Sequence, residues 1–198
     1  MKIGIFGLGY VGLTTAACLL RRGFHVVGYE TSAAKRDELA VGRVPLSEPG
    51  VEPAVRNGIA ERRFTVRAHA EAHELPDILF ITVGTPSDEQ GATSLPAVDR
   101  VFAQLAGMQD ALVRAGAEIV LRSTVPPGTL QAFARKFPAL FATVPVAFYP
   151  EFLREGTAMQ DFEHPPQTVI GAMRGALPPA KILSVMVSFG FTYKLVDA

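Results

Sequence analysis

The chain has 198 residues, with 19 basic and 19 acidic side chains, a formal net charge of zero and 48% hydrophobic residues, as expected of an ordinary globular domain. Zero net charge leaves no electrostatic case for a nucleic acid or an anionic membrane as partner. No uninterrupted apolar stretch approaches the roughly 20 residues of a membrane span, and a single cysteine, Cys18, excludes an internal disulfide.

Short runs rich in Val, Ile and Phe alternate with longer amphipathic stretches, the pattern of βα units around a mostly parallel sheet. In chain order, strands are predicted at 2–6, 25–30, 64–67, 77–83, 118–123, 144–148, 168–171 and 192–196, and helices at 11–22, 33–41, 50–57, 96–115, 128–136 and 178–189. The proline pairs at 126–127, 165–166 and 178–179 punctuate loops, and no internal repeat is present. The expected fold is therefore α/β, a doubly wound, mostly parallel sheet with helices on both faces, drawn as one domain over 1–198. A chain of this length buries roughly 70% of the surface exposed on unfolding and needs no disulfide or metal to fold. The lone cysteine fits a reducing compartment, so the cytoplasm is the expected location.

Gly7-Leu8-Gly9-Tyr10-Val11-Gly12 spells G-x-G-x-x-G, a weak pattern alone but a specific one between a strand and a helix. Here Ile3-Gly4-Ile5-Phe6 enters it and the apolar 13–20 run leaves it, which makes the unit Rossmann-type. Gly7 permits the tight turn, Gly9 admits a pyrophosphate and Gly12 lets the helix pack on the sheet. The phosphates are expected on the free N–H groups at the positive end of the helix. The second strand ends in Glu30, 18 residues after Gly12. A carboxylate there accepts hydrogen bonds from a ribose and repels a 2′-phosphate, so NAD is expected rather than NADP. Lys35 and Arg36 are the nearby basic groups that bear on that preference.

In open α/β sheets ligands bind beyond the carboxyl ends of the strands. Three later strands run there into unusual loops: Gly84-Thr85-Pro86-Ser87, Ser123-Thr124-Val125-Pro126-Pro127-Gly128, and Tyr149-Pro150-Glu151-Phe152-Leu153-Arg154-Glu155-Gly156. Glu151 and Glu155 are four apart, a spacing that puts both on one face of a helical turn. Such a pair can relay protons or bind sugar hydroxyls, but the spacing alone favours a solvated helix start with Glu151 near its N-terminus.

These segments, with Ser47-Glu48-Pro49-Gly50, Val83-Gly84-Thr85-Pro86 and the run from Arg122 to Thr129, resemble in order and along the whole chain the nucleotide-sugar 6-dehydrogenases. That family comprises UDP-glucose, UDP-mannosaminuronate-type and GDP-mannose dehydrogenases. The resemblance implies oxidation of the C6 alcohol of a UDP- or GDP-hexose to a carboxylate with two NAD+, through a cysteine-bound thiohemiacetal and thioester. It further implies that Tyr10, Val11, Glu30 and Lys35 hold the adenosine and phosphate part of NAD, and that Thr85, Thr124 and Glu155 lie near its nicotinamide half. Thr124 and Glu151 match residues that order the catalytic water and assist proton transfer. The stretch Glu151, Phe152, Leu153, Arg154 and Glu155 matches part of the sugar-nucleotide site. Pro165-Pro166-Gln167-Thr168-Val169-Ile170-Gly171 and the Arg122-Ser123-Thr124 loop resemble the GDP-mannose branch more than the UDP-glucose branch.

Two departures stand out. Tyr149 replaces the Asn that usually precedes the family's Pro-Glu-Phe-Leu-Arg-Glu run. The family's central helix and its second domain, with a catalytic Cys, a Lys and an Asn, have no counterpart among these 198 residues, so this chain alone is expected to bind cofactor without turning over sugar. The alternative is a free-standing NAD-binding module with a regulatory or partner-binding role. Homo-oligomerisation is left open, since family dimers form largely through the later segments. Cys18 follows two alanines in the first helix and is expected to be packing. His69 and His73, at i, i+4 beside Glu74, are expected on a surface helix, and no metal site is expected.

Overall fold

A computed structural model describes residues 1–173 and 178–197; residues 174–177 and Ala198, drawn within the expected domain, lie outside the described residues. Strand β1 (Lys2–Phe6) alternates its side chains between two apolar layers, Ile3 and Ile5 toward one and Phe6 toward the other. That alternation defines the two faces of the sheet. It continues through β2 (His25–Tyr29), β4 (Ile78–Ile81), β5 (Glu118–Leu121) and β6 (Val146–Phe148), while β3 (Phe64–Arg67) and β7 (Val169–Ala172) add Phe64 and Ile170 to the first layer and β8 (Lys194–Asp197) is exposed along its length.

The eight strands lie in the order β3-β2-β1-β4-β5-β6-β7-β8. All neighbours are parallel except β6 and β7. The order reverses between β1 and β4, and a crevice opens at that switch point beyond the strand ends. On one face pack α1 (Tyr10–Arg21), α3 (Val51–Ala60), α8 (Ala158–Glu163) and α9 (Ala180–Phe189), with Leu39 of α2 (Ala33–Ala40). The other face carries α4 (Pro96–Ala106), α5 (Gln109–Ala115), α6 (Thr129–Lys136) and α7 (Pro138–Thr143). There Phe102 stacks on Phe133 at 4.7 Å between ring centroids.

Helix α1 is buried from Gly12 to Leu20, which its small residues Gly12, Ala16, Ala17 and Cys18 permit by letting α3 and α8 approach. Glu118, at the start of β5, ties α9 to the sheet at the end opposite the crevice. Its carboxylate accepts from the N–H groups of Lys181 and Ile182 at 2.8 and 2.9 Å and so caps α9.

Four expectations need correction. The helix expected over 96–115 is two helices: Met108 N–H turns back onto the Leu105 carbonyl, and the break falls at Gly107, a poor helix former. Helices α7 and α8, six residues each, were not expected, because so few residues show no periodicity. No helix carries His69 and His73; both stand in an exposed loop on either side of Glu71, His73 Nε2 lying 3.3 Å from it. The fourth correction, at 151–155, belongs to the site. Among the described residues no helix is long and apolar enough to cross a membrane, and no group of three or more His, Cys, Asp or Glu is arranged to hold a metal.

Candidate active site

A cavity of about 720 Å³ fills the crevice at the switch point. Of the residues expected to bind cofactor, Gly7, Gly9, Tyr10, Val11, Glu30, Lys35 and Thr85 line it, and Gly12 lies behind the loop. Gly7 has a φ of +89°, the left-handed region that glycine enters without strain. A Cβ at Gly12 would stand 2.0 Å from the Gly7 carbonyl oxygen, so no side chain fits there, whereas at Gly9 nothing lies within 4 Å of that position and the backbone is open to the cavity. Thr82, beyond the end of β4, donates its hydroxyl toward the Phe6 and Gly7 carbonyls at 3.0 and 2.8 Å and braces the loop from below.

Helix α1 starts at Tyr10 with no side-chain cap and no acid in its first turn. Its leading N–H groups therefore face the cavity side without an anionic partner from the chain, which suits a pyrophosphate. At the far end, burial works against ionisation of Glu30, but the Ser32 N–H at 3.0 Å and the Lys35 ammonium at 3.3 Å outweigh it and hold the carboxyl below the usual range. Arg36 spends its guanidinium on the Glu30 and Thr31 carbonyls, both at 2.8 Å. Both nearby cations are thus engaged, and the ribose end of the cavity presents an anion. These features fit a dinucleotide without a 2′-phosphate.

One face of α4 closes the cavity with Ala97, Arg100, Val101 and Gln104. Their i, i+3, i+4, i+7 spacing is legible as a helical face, but nothing in the sequence says that the face meets a ligand rather than the core. Thr82 and Ser123 were likewise not singled out as binding residues; Ser123 donates to the Val83 carbonyl at 2.7 Å.

The remaining expected residues lie outside this cavity, in the adjoining loops. Thr124 is exposed, and its carbonyl accepts from the Thr85 hydroxyl at 2.8 Å, joining the β4 and β5 loops. The helical turn expected at 151–155 does not form. Glu151 Oε2 instead takes the Leu153 N–H at 2.7 Å, Asp161 takes the Arg154 N–H at 2.9 Å, and Glu48 takes the Gly156 N–H at 2.7 Å. Side-chain acceptors have replaced the backbone acceptors that a helix would use. Phe152 is 47% exposed and Glu155 is exposed, while Leu153 packs on the core. Arg154 also grips Asp161 through Nε and Nη2 at 3.1 and 2.7 Å, which holds the Asp161 carboxyl well below its ordinary range.

Three buried groups under these loops were passed over as site residues. Glu48 links Tyr10 to residues 156–158. Arg122, only 2% exposed, lays its guanidinium 4.1 Å over the Tyr149 ring, with Phe162 on α8 at 5.0 Å. Tyr149 itself is buried, so the residue that replaces the usual Asn serves as a platform for Arg122. Cys18 has no part in the cavity: it is fully buried in α1, its Sγ 3.9 Å from the Met159 carbonyl, and burial pushes its thiol up, away from the reactive thiolate.

Residues 1–181 match the family model described as the UDP-glucose/GDP-mannose dehydrogenase family, NAD binding domain. The chain is 39% identical over 186 residues to GDP-mannose 6-dehydrogenase of Pseudomonas putida, covering 89% of this chain and 42% of that protein. It is 36% identical over 179 residues to UDP-glucose 6-dehydrogenase of Pseudomonas aeruginosa, covering 87% and 39%. Among solved structures, a ternary complex of GDP-mannose dehydrogenase from Pseudomonas aeruginosa superposes with a TM-score of 0.81 at 31% identity, covering all of this chain and 46% of that one. The chain thus spans about two fifths of the length of the relatives it matches.

Proposed function

Because this chain belongs to the UDP-glucose/GDP-mannose dehydrogenase family and carries its NAD-binding domain, we propose that it is the cofactor-binding part of an enzyme that oxidises C6 of a nucleotide-linked hexose to the uronate. Its cofactor is NAD. The observation that carries the reading is the single cavity in which the glycine loop, the uncapped start of α1 and the ionised Glu30 meet. NAD, when bound, supplies the hydride acceptor.

The chain's own residues then divide the work. Tyr10 and Val11 offer backbone N–H groups to the phosphates, while Glu30 and Lys35 hold the adenosine ribose. Thr85, Thr124 and Glu155 border the nicotinamide end. Thr124 and Glu151 order the water that attacks at the final step and assist its proton transfer, and Glu151, Phe152, Leu153 and Arg154 form one wall for the sugar nucleotide. The substrate we favour is a GDP-hexose, supported by the identity to GDP-mannose 6-dehydrogenases. The nucleophile that holds the aldehyde is not among these residues, because the sole cysteine is buried away from the cavity with a raised pKa.

The test is a thermal shift. At a hundredfold excess over Kd, bound NAD stabilises by about 2.7 kcal/mol, or roughly 5–10 °C for a chain of this size, and NADP should shift Tm less. Equal shifts would refute the assignment of Glu30 to the ribose, and no shift with NAD would refute the cofactor site.

A further inference from the structure

Glu48 is a carboxylate buried to 6% exposure in the turn before α3, and no cation pairs with it among the described residues. Its charge is met by three donors instead. Oε2 accepts from the Tyr10 hydroxyl at 2.6 Å and from the Gly156 N–H at 2.7 Å, and Oε1 accepts from the Ala158 N–H at 2.8 Å. The Tyr10 oxygen also lies 3.2 Å from the Arg154 carbonyl. One side chain therefore spans from the first residue of α1, which lines the cavity, to the segment running from Arg154 into α8.

We propose that Glu48 is a positioning residue that couples the glycine loop to residues 150–158, so that dinucleotide held at the start of α1 tightens the wall that receives the sugar nucleotide. The inference rests on the proposed reading of the cavity and of residues 151–154. Its physical basis is short. A ligand on the first N–H groups of α1 fixes the backbone of Tyr10 and with it the direction of the phenol. The phenol fixes Oε2 of Glu48, and the same oxygen holds Gly156. Without the carboxylate the buried Ala158 N–H has no acceptor at that position, since side chains have replaced the helical bonds here. Coupling of this kind is reciprocal: a segment tightened by NAD must in turn raise the affinity for NAD when it is ordered.

The test is amide hydrogen exchange read at Gly156 and Ala158, with and without NAD, in the wild-type chain and in Glu48→Gln and Tyr10→Phe. In the wild type, saturating NAD is expected to slow both amides by roughly fivefold or more, the lower bound of ordinary coupling between sites. In Glu48→Gln, which puts an amide NH₂ where an acceptor stood, at least one of the two should exchange about tenfold faster in the free protein, as for loss of one charge-assisted bond. The response to NAD should then disappear. Tyr10→Phe leaves the carboxylate and both amide bonds in place, so free-state exchange should stay near wild type while the response to NAD is lost. A purely structural Glu48 would change the free-state rates and leave the NAD-dependent slowing intact, and that result overturns the proposal. Retained slowing in Tyr10→Phe overturns it equally, and decides the matter alone if Glu48→Gln does not fold. A wild-type thermal shift with NAD but no slowing at these amides overturns the coupling and spares the cofactor site; no thermal shift at all overturns both.

Discussion

At the scale of single residues, Glu30 shows how a local charge is kept where it is useful. Burial opposes its ionisation, and the Ser32 N–H together with the Lys35 ammonium reverses that. Exchange for a neutral, shorter residue should act on both sides of the cofactor preference. Glu30→Ser is expected to raise Kd for NAD by about tenfold, the loss of one hydrogen bond to a charged group, and to narrow the gap to NADP by removing the repulsion. Fluorescence titration with NADH and NADPH reads both, and an unchanged ratio of the two affinities would show that Glu30 does not face the ribose. A different carboxylate contributes to behaviour in acid. Hydrogen bonds from Lys2 at 2.6 Å and Arg67 at 2.7 Å hold Glu74 down to about 2 from an ordinary 4.5. A depressed folded-state value contributes stability fully above pH 4.5 and loses it as pH falls toward 2. The Tm difference between wild type and Glu74→Gln should therefore be constant above pH 4.5 and close to nothing near pH 2. A difference that grows on acidification would contradict the sign.

At the scale of elements, the β1–α1 unit is held by steric fit. Alanine is the better helix former by about 1 kcal/mol, yet a Cβ at Gly12 would stand 2.0 Å from the Gly7 oxygen and 2.8 Å from Thr82 Oγ1. The clash is with backbone, which cannot swing aside as a side chain would. Gly12→Ala is expected to cost roughly 1–3 kcal/mol, as overpacking does, and to abolish the NAD-dependent shift by prising the helix from the loop. Calorimetry with and without NAD measures both effects, and an unperturbed shift would mean that the loop adapts. The segment after β6 follows a different rule. Its backbone is fastened by the carboxylates of Glu48, Glu151 and Asp161, so its shape depends on partners up to 110 residues away in the chain.

At the scale of the whole molecule, the sheet brings loops from six parallel strands, β1 to β6, to one end, and under the proposed reading the reaction is divided over more than these residues contain. The cavity is lined by the glycine loop and Glu30, and the one thiol lies in the core between α1 and α8. The purified 198-residue chain supplied with NAD and either GDP-mannose or UDP-glucose is expected to produce no NADH above background. Absorbance at 340 nm follows this, and steady turnover would refute the division and require a nucleophile other than cysteine. The antiparallel β7 and its parallel neighbour β8 extend the sheet past the sixth strand, leaving Leu195 and Val196 exposed on the outermost strand.

The sequence by itself determined the strand–loop–helix of the glycine motif, the anion at the end of β2, the alternation of strands and helices, and the family. Each of these is written in residues close along the chain: a 3.6- or 2-residue period, a glycine triplet, or an acid at a set distance. Only the tertiary structure decided that Glu48 joins Tyr10 to Gly156, that Arg122 lies buried on Tyr149, that Thr82 braces the loop, and that residues 151–155 are not helical. In each of these a side chain answers a backbone group or a ring distant in sequence. No local period or spacing records which of many carboxylates will meet which of many free N–H groups; the packing of α1 and α8 on the sheet selects the pair.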